Sequence, residues 1–129
     1  GQAGVTAAAV LAEPFLMREP GSGTRILATR FLDRIGEGKT YARSEMNSNE
    51  TIKQAVIAGL GVALISYHTV VEELRSGRLV TLDLPGLPIM RHWFLLHPAE
   101  TPLSGAARTV WQFIATEKDS FLPHWPPER

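Results

Sequence analysis

A chain of 129 residues is long enough for one hydrophobic core and short for two comfortable domains. Its 44% hydrophobic and 20% charged residues are ordinary for a globular protein, and 13 basic against 13 acidic residues leave no net charge, which argues against a nucleic-acid surface of its own. The absence of cysteine excludes disulfides, thiolate catalysis and cysteine-ligated zinc, and the longest apolar runs fall far short of the roughly 20 residues that a membrane span needs.

Residues 1–10 are small and apolar with no basic stretch before them, so they do not read as a secretory leader. Without an initiator Met, the sequence reads as a piece of something longer. Thr6 is placed to cap a short helix over residues 7–12, which Pro14 stops. Phe15, Leu16 and Met17 then read as a strand. A turn dense in Pro and Gly, residues 18–25, leads into a second helix whose Leu27, Ala28, Phe31, Leu32 and Ile35 share one face, with Gly36 and Gly38 as stop signals.

A second extended run, ending at Met46, meets the polar elbow Asn47, Ser48, Asn49. Ser48 or Asn49 caps a third helix with Ile52, Ala55, Val56, Gly59 and Leu60 on its buried face and Gly59 and Gly61 at its end. Residues 62–65 read as a short buried strand. The unit of strand, polar turn and helix therefore occurs twice, at 15–35 and 43–60. If the strands are parallel, both corners fall at the carboxyl edge of the sheet, where open α/β sheets receive ligands.

Beyond that point residues 67–75 read as a helix with Val70, Val71 and Leu74 inward, and 79–82 and 92–97 as strands separated by a turn at 85–88. Pro102 and Ser104 open a last helix whose apolar stripe is Leu103, Ala106, Ala107, Val110, Phe113 and Ile114. Three prolines, at 123, 126 and 127, suit residues 118–129 to an extended arm.

The turn Pro20, Gly21, Ser22, Gly23, Thr24 is able to cradle an anion, because glycines admit close backbone approach, the hydroxyls donate, and Arg18 and Arg25 bracket it with positive charge. It is equally a plain strand-to-helix turn with Ser22 or Thr24 as its cap. The elbow at 47–50 carries the same two readings. The spacing matches neither a P-loop nor a dinucleotide fingerprint. His92 and His97 are five apart on an expected strand and face opposite sides, His68 sits at a helix start, and His124 lies in the proline tail, so no metal site is expected. Glu72 and Glu73 read as a solvated face, and no nucleophile and base pair is visible, so no catalytic residue is expected.

The run 13–25 (Glu-Pro-Phe-Leu-Met-Arg-Glu-Pro-Gly-Ser-Gly-Thr-Arg), the run 45–63 with its Met-Asn-Ser-Asn-Glu-Thr-Ile-Lys-Gln-Ala-Val segment, Gly77-Arg78-Leu79 and the closing stretch 93–114 together resemble the effector-binding domain of LysR-type transcriptional regulators, within the subgroup that controls RuBisCO and carbon-fixation operons. The resemblance covers about residues 5–117 and implies an α/β fold like the type II periplasmic binding proteins, with a mixed, mainly parallel sheet flanked by helices. It implies that residues 1–91 form the second lobe, that 92–117 return to a first lobe mostly outside this sequence, and that 118–129 are a tail.

The site it implies comprises Glu19, Gly21, Ser22, Gly23, Thr24, Arg25, Asn47, Ser48, Asn49 and Glu50, with Ser22, Thr24 and Arg25 as anion contacts. The effector expected is a small anionic metabolite, phosphorylated or carboxylated, or a nicotinamide nucleotide. Neither a resident cofactor nor an enzymatic activity is implied. The expected setting is a cytoplasmic homo-oligomer that meets DNA only through a winged helix-turn-helix domain beyond this sequence and does not touch membranes. The stripe of the last helix, its lobe missing, should be covered by another chain or by the second lobe. Two other readings share the scaffold: a solute-capture lobe of a transport protein, and an enzyme.

Overall fold

The computed structural model describes residues 4–124. The chain divides into two units, Gly1–Leu87 and Pro88–Arg129.

In the first unit, α1 (Ala7–Leu11) is capped by Thr6, whose side chain accepts from Ala9 N. The strand β1 (Phe15–Arg18) follows, then α2 (Gly23–Gly36), β2 (Arg43–Met46), α3 (Asn49–Ile57) and α4 (Tyr67–Arg75). The strands pair in parallel, with Phe15 opposite Arg43, Leu16 opposite Ser44, Met17 opposite Glu45 and Arg18 opposite Met46. β1 is the inner strand, and its Phe15, Leu16 and Met17 are buried while β2 forms an exposed edge. Both α2 and α3 pack on β1. Leu16, Ile52 and Ala55 form a core with Met46, Val56, Ala63 and Ile65 against it. Full burial of aliphatic side chains such as Leu16 and Ile52 stabilises by about 1.5–3 kcal/mol each.

The other side of β1 receives one ladder contact rather than the expected strand at 62–65. Phe15 bridges Val62 in parallel, with Leu16 N donating to Val62 O at 2.8 Å and Val62 N to Pro14 O at 2.9 Å. This approach is so close that a Cβ on Gly61, whose φ is 154°, would overlap the Pro14 carbonyl oxygen. The helix before it also ends earlier than its apolar spacing suggests. Leu60 N bonds Ala55 O and Gly59 N bonds Val56 O around Gly59 at φ 77°, a Schellman closure that turns the chain away. Leu60 is consequently 59% exposed instead of lying on the buried face. At the end of α2 Glu37, not a glycine, takes the left-handed position at φ 49°, and Gly36 stays inside the helix.

Residues 79–82 do not form the expected strand, only Leu82 making a bridge, and the buried residue beside them is Leu84. In α4 Val70 and Val71 are buried as expected. Glu73 is not on a solvated face: it meets Lys53 of α3 at 2.9 Å, both side chains little exposed (12% and 11%), whereas exposed Glu72 pairs with Arg75 of its own helix.

In the second unit, residues 92–97 do not form the expected strand, and Trp93, Phe94 and Leu96 are 78–83% exposed. A run apolar at consecutive positions suits a strand buried on both faces, and it cannot become one without neighbours for its backbone and its side chains. The last helix, α5 (Gly105–Phe121), is capped by Ser104 and buries no residue. It continues through 118–121, the start of the expected extended arm; residues 125–129 of that arm lie outside the described residues. Among the described residues, no helix is long and apolar enough to cross a membrane.

Candidate functional site

The parallel pairing sets both corners at the carboxyl edge. β1 ends at Arg18 opposite Met46, the last residue of β2, so residues 19–22 and 47–48 leave the sheet side by side. Two side-chain bridges tie them together. Arg18 Nη1 donates to Asn49 Oδ1 at 2.9 Å, and Arg25 Nη1 donates to Glu45 Oε2 at 2.9 Å.

The cations of the first corner hold internal partners. Arg18 forks onto its neighbour Glu19, with Nε to Oε2 at 2.7 Å and Nη2 to Oε1 at 2.8 Å, so that with the bond to Asn49 each of its guanidinium nitrogens has a partner. The same fork, helped by a backbone N–H and opposed by partial desolvation, pulls the Glu19 carboxyl from its ordinary 4.5 to about 2 and holds Arg18 more firmly charged. Arg25 is held differently. Its Nη1 also donates to the Arg18 carbonyl at 2.8 Å, which fixes the guanidinium to the backbone, while its Nε and Nη2 have no partner among the described residues.

At the start of α2, Gly21 takes φ 91° in the turn, and Ser22 is the N-cap without a side-chain cap bond. No acidic residue lies in that first turn, which Gly23, Thr24 and Arg25 occupy. The N–H groups there form the positive end of a 14-residue helix and have no side-chain acceptor from Ser22.

The second corner is closed by its own side chains. Ser48 Oγ accepts from Thr51 N at 3.0 Å and shares a 2.8 Å hydrogen bond with Thr51 Oγ1. Glu50 is held by Gln54 and Lys53, each at 2.9 Å, and these two contacts draw its carboxyl below the usual range. Asn49 accepts from Arg18. Asn47 stays outward and, with Glu45, Met46 and Thr51, lines an open pocket of about 380 Å³.

All ten residues expected at the site lie at this edge, yet in unlike positions: Ser48, Asn49, Glu50 and Glu19 brace the corners, Gly21, Ser22, Gly23, Thr24 and Arg25 form the turn and first turn of α2, and of the ten only Asn47 lines the pocket. Sequence reading missed Glu45, Met46 and Thr51, because only the register that sets Glu45 opposite Met17 reveals that β2 delivers its carboxylate to Arg25. The histidines stay apart in role: His68 Nδ1 lies 3.5 Å from Ser66 Oγ, and His97 Nδ1 and His124 Nε2 lie against backbone carbonyls.

A parallel α/β lobe with two polar corners side by side on its carboxyl edge, one of them an uncapped helix start flanked by arginine, has the arrangement in which open α/β sheets receive small ligands. The family model described as "LysR substrate binding domain" matches residues 1–119, and the chain belongs to that family. It is 54% identical over 126 residues to the HTH-type transcriptional regulator CbbR of Cereibacter sphaeroides, covering 98% of this chain and 41% of that protein. It is 40% identical to the RuBisCO operon transcriptional regulator of Allochromatium vinosum, covering 91% of this chain and 38% of that protein. The chain thus spans about two fifths of the length of these curated relatives. Among solved structures it is similar to the Synechocystis PCC6803 CcmR regulatory domain in complex with 2-PG, with 35% identity and a TM-score of 0.76, covering 94% of this chain and 58% of that one.

Proposed function

We propose that this chain is the effector-sensing part of a transcriptional regulator of carbon-fixation genes, and that it binds a small anionic metabolite at the carboxyl edge of β1 and β2. The observation that carries the proposal is the first corner. An uncapped helix start, the Ser22 and Thr24 hydroxyls and a backbone-anchored Arg25 converge at one edge, and they are donors suited to a carboxylate or phosphate. The complex of the similar CcmR domain with 2-PG supports the same class of ligand.

In this reading the anion meets Ser22, Thr24 and Arg25, Gly21 and Gly23 let the backbone approach, and Asn47 contributes from the second corner. Residues 1–91 form one lobe of a two-lobed receptor, and 92–117 lead toward the other. That lobe supplies the opposite wall, so this chain binds more weakly than a complete cleft would. The protein is not an enzyme, acts in the cytoplasm as a homo-oligomer, and meets DNA through a helix-turn-helix domain of the kind named in its relatives. Calorimetry against 2-PG, sugar phosphates and NADPH tests the proposal. Saturable binding of one of these, weakened by Arg25→Ala, is expected; no binding by any of them, with Arg25→Ala equally silent, removes the anion assignment.

A further inference from the structure

Glu45 is the only carboxylate among the described residues that pairs with Arg25, and the pair is unequal. The arginine side chain is 17% exposed and stays anchored on the Arg18 carbonyl whatever Glu45 does, while Glu45 is 54% exposed on the edge strand. It makes a single contact, Oε2 to Nη1, and lies against the open pocket it lines with Met46, Asn47 and Thr51, so the displaced carboxylate has space to enter. The neighbouring pairs contrast with it. Arg18 and Glu19 are joined by two bonds between adjacent residues, and Lys53 and Glu73 are both largely covered. Lys53 and Glu50 also join a covered cation to an exposed carboxylate, but Glu50 is held by Gln54 as well, whereas Glu45 depends on its one contact with Arg25.

We infer that Glu45 is an internal competitor for the effector: its carboxylate holds the place on Arg25 that the ligand's anionic group takes, so that binding exchanges one anion for another. The inference rests on the anion-sensing reading above and adds the residue that sets its threshold. An exposed pair of this kind contributes little, so a carboxylate or phosphate that also reaches the free Nε and Nη2 hydrogens and the α2 start displaces Glu45. A neutral solute cannot. After exchange Glu45 remains close by as a like charge, a residual repulsion that further weakens binding of the anion.

Calorimetry of the full chain with 2-PG and with inorganic phosphate tests this in the wild type, Glu45→Gln, Arg25→Gln and the double variant, with far-ultraviolet circular dichroism to confirm folding. Glu45→Gln is expected to tighten binding about fivefold, through loss of the competing pair and of the residual repulsion, and to leave glycerol, the neutral control, without binding. The gain should shrink on the Arg25→Gln background to the part that comes from the residual repulsion alone. Glu45→Asp, which keeps the charge on a shorter stem, should fall between wild type and Glu45→Gln. Measurable wild-type binding with no gain in Glu45→Gln overturns the inference and leaves the effector reading standing; silence toward both probes in every folded variant removes that reading and the inference together.

Discussion

The two corners share one plan, strand to polar turn to helix, and one sheet edge, yet they treat the first turn of their helices in opposite ways. At the second corner Ser48 satisfies Thr51 N and Glu50 adds a carboxylate to the first turn of α3. At the first corner Ser22 offers α2 no side-chain acceptor and the first turn holds no acid. A serine before a helix therefore does not by itself say whether the helix start is consumed or left for a ligand. At the second corner the capping hydroxyl of Ser48 is held in addition by Thr51 Oγ1, and among the described residues the first corner has no counterpart to that contact. On the function proposed above, this difference gives anion capture to the first corner and bracing to the second.

The sharpest way to break this division is Arg25→Gln. Losing a charge-assisted contact should weaken 2-PG binding roughly tenfold to hundredfold while the thermal midpoint moves little. Unchanged affinity in calorimetry would put the anion elsewhere. Ser48→Ala should cost about 1 kcal/mol in denaturant unfolding, as the loss of a side-chain cap does, with affinity for 2-PG nearly unaltered. Ser22→Ala should do the reverse, changing stability by less than about 0.5 kcal/mol while weakening 2-PG about fivefold. If the two serines behaved alike in both assays, the contrast between the corners would collapse.

The smallest effect is in pH. Because the folded-state pKa of Glu19 is depressed from 4.5 to about 2, its pairing with Arg18 contributes stability that is complete above 4.5 and is lost as pH falls toward 2. Carbon-detected NMR of the Glu19 carboxyl should give a midpoint near 2 in the native protein, moving up toward 4.5 in Arg18→Gln. A midpoint already near 4.5 in the wild type would mean that the fork does not hold in solution.

Much of the fold was legible because it is local. The caps at Thr6 and Ser48, the apolar face of α2, and Val70 and Val71 of α4 all followed from spacing and residue type, whereas the parallel pairing of β1 with β2 entered as a condition that the structure meets. The strands expected at 79–82 and 92–97 did not form, since an apolar run specifies a wish to be buried and not the neighbour that would bury it. The inward Leu60 failed for a similar reason: periodicity continues through the sequence, but the closure at Gly59 ends the helix in space. The Lys53–Glu73 pair escaped notice because nothing in a list of charges tells which of Glu72 and Glu73 turns toward α3.

By itself the sequence determined the helices and the first two strands in their order, the family, and the two polar corners, because hydrophobic period, glycine position and capping residues act within a few neighbours along the chain. Tertiary structure alone decided which corner stays open, that Arg25 rests on a carbonyl from β1, and that Glu45 of β2 sits against it. Those outcomes depend on strand register and side-chain rotamer, which are set by residues 7 and 20 positions away in the chain and by packing on β1.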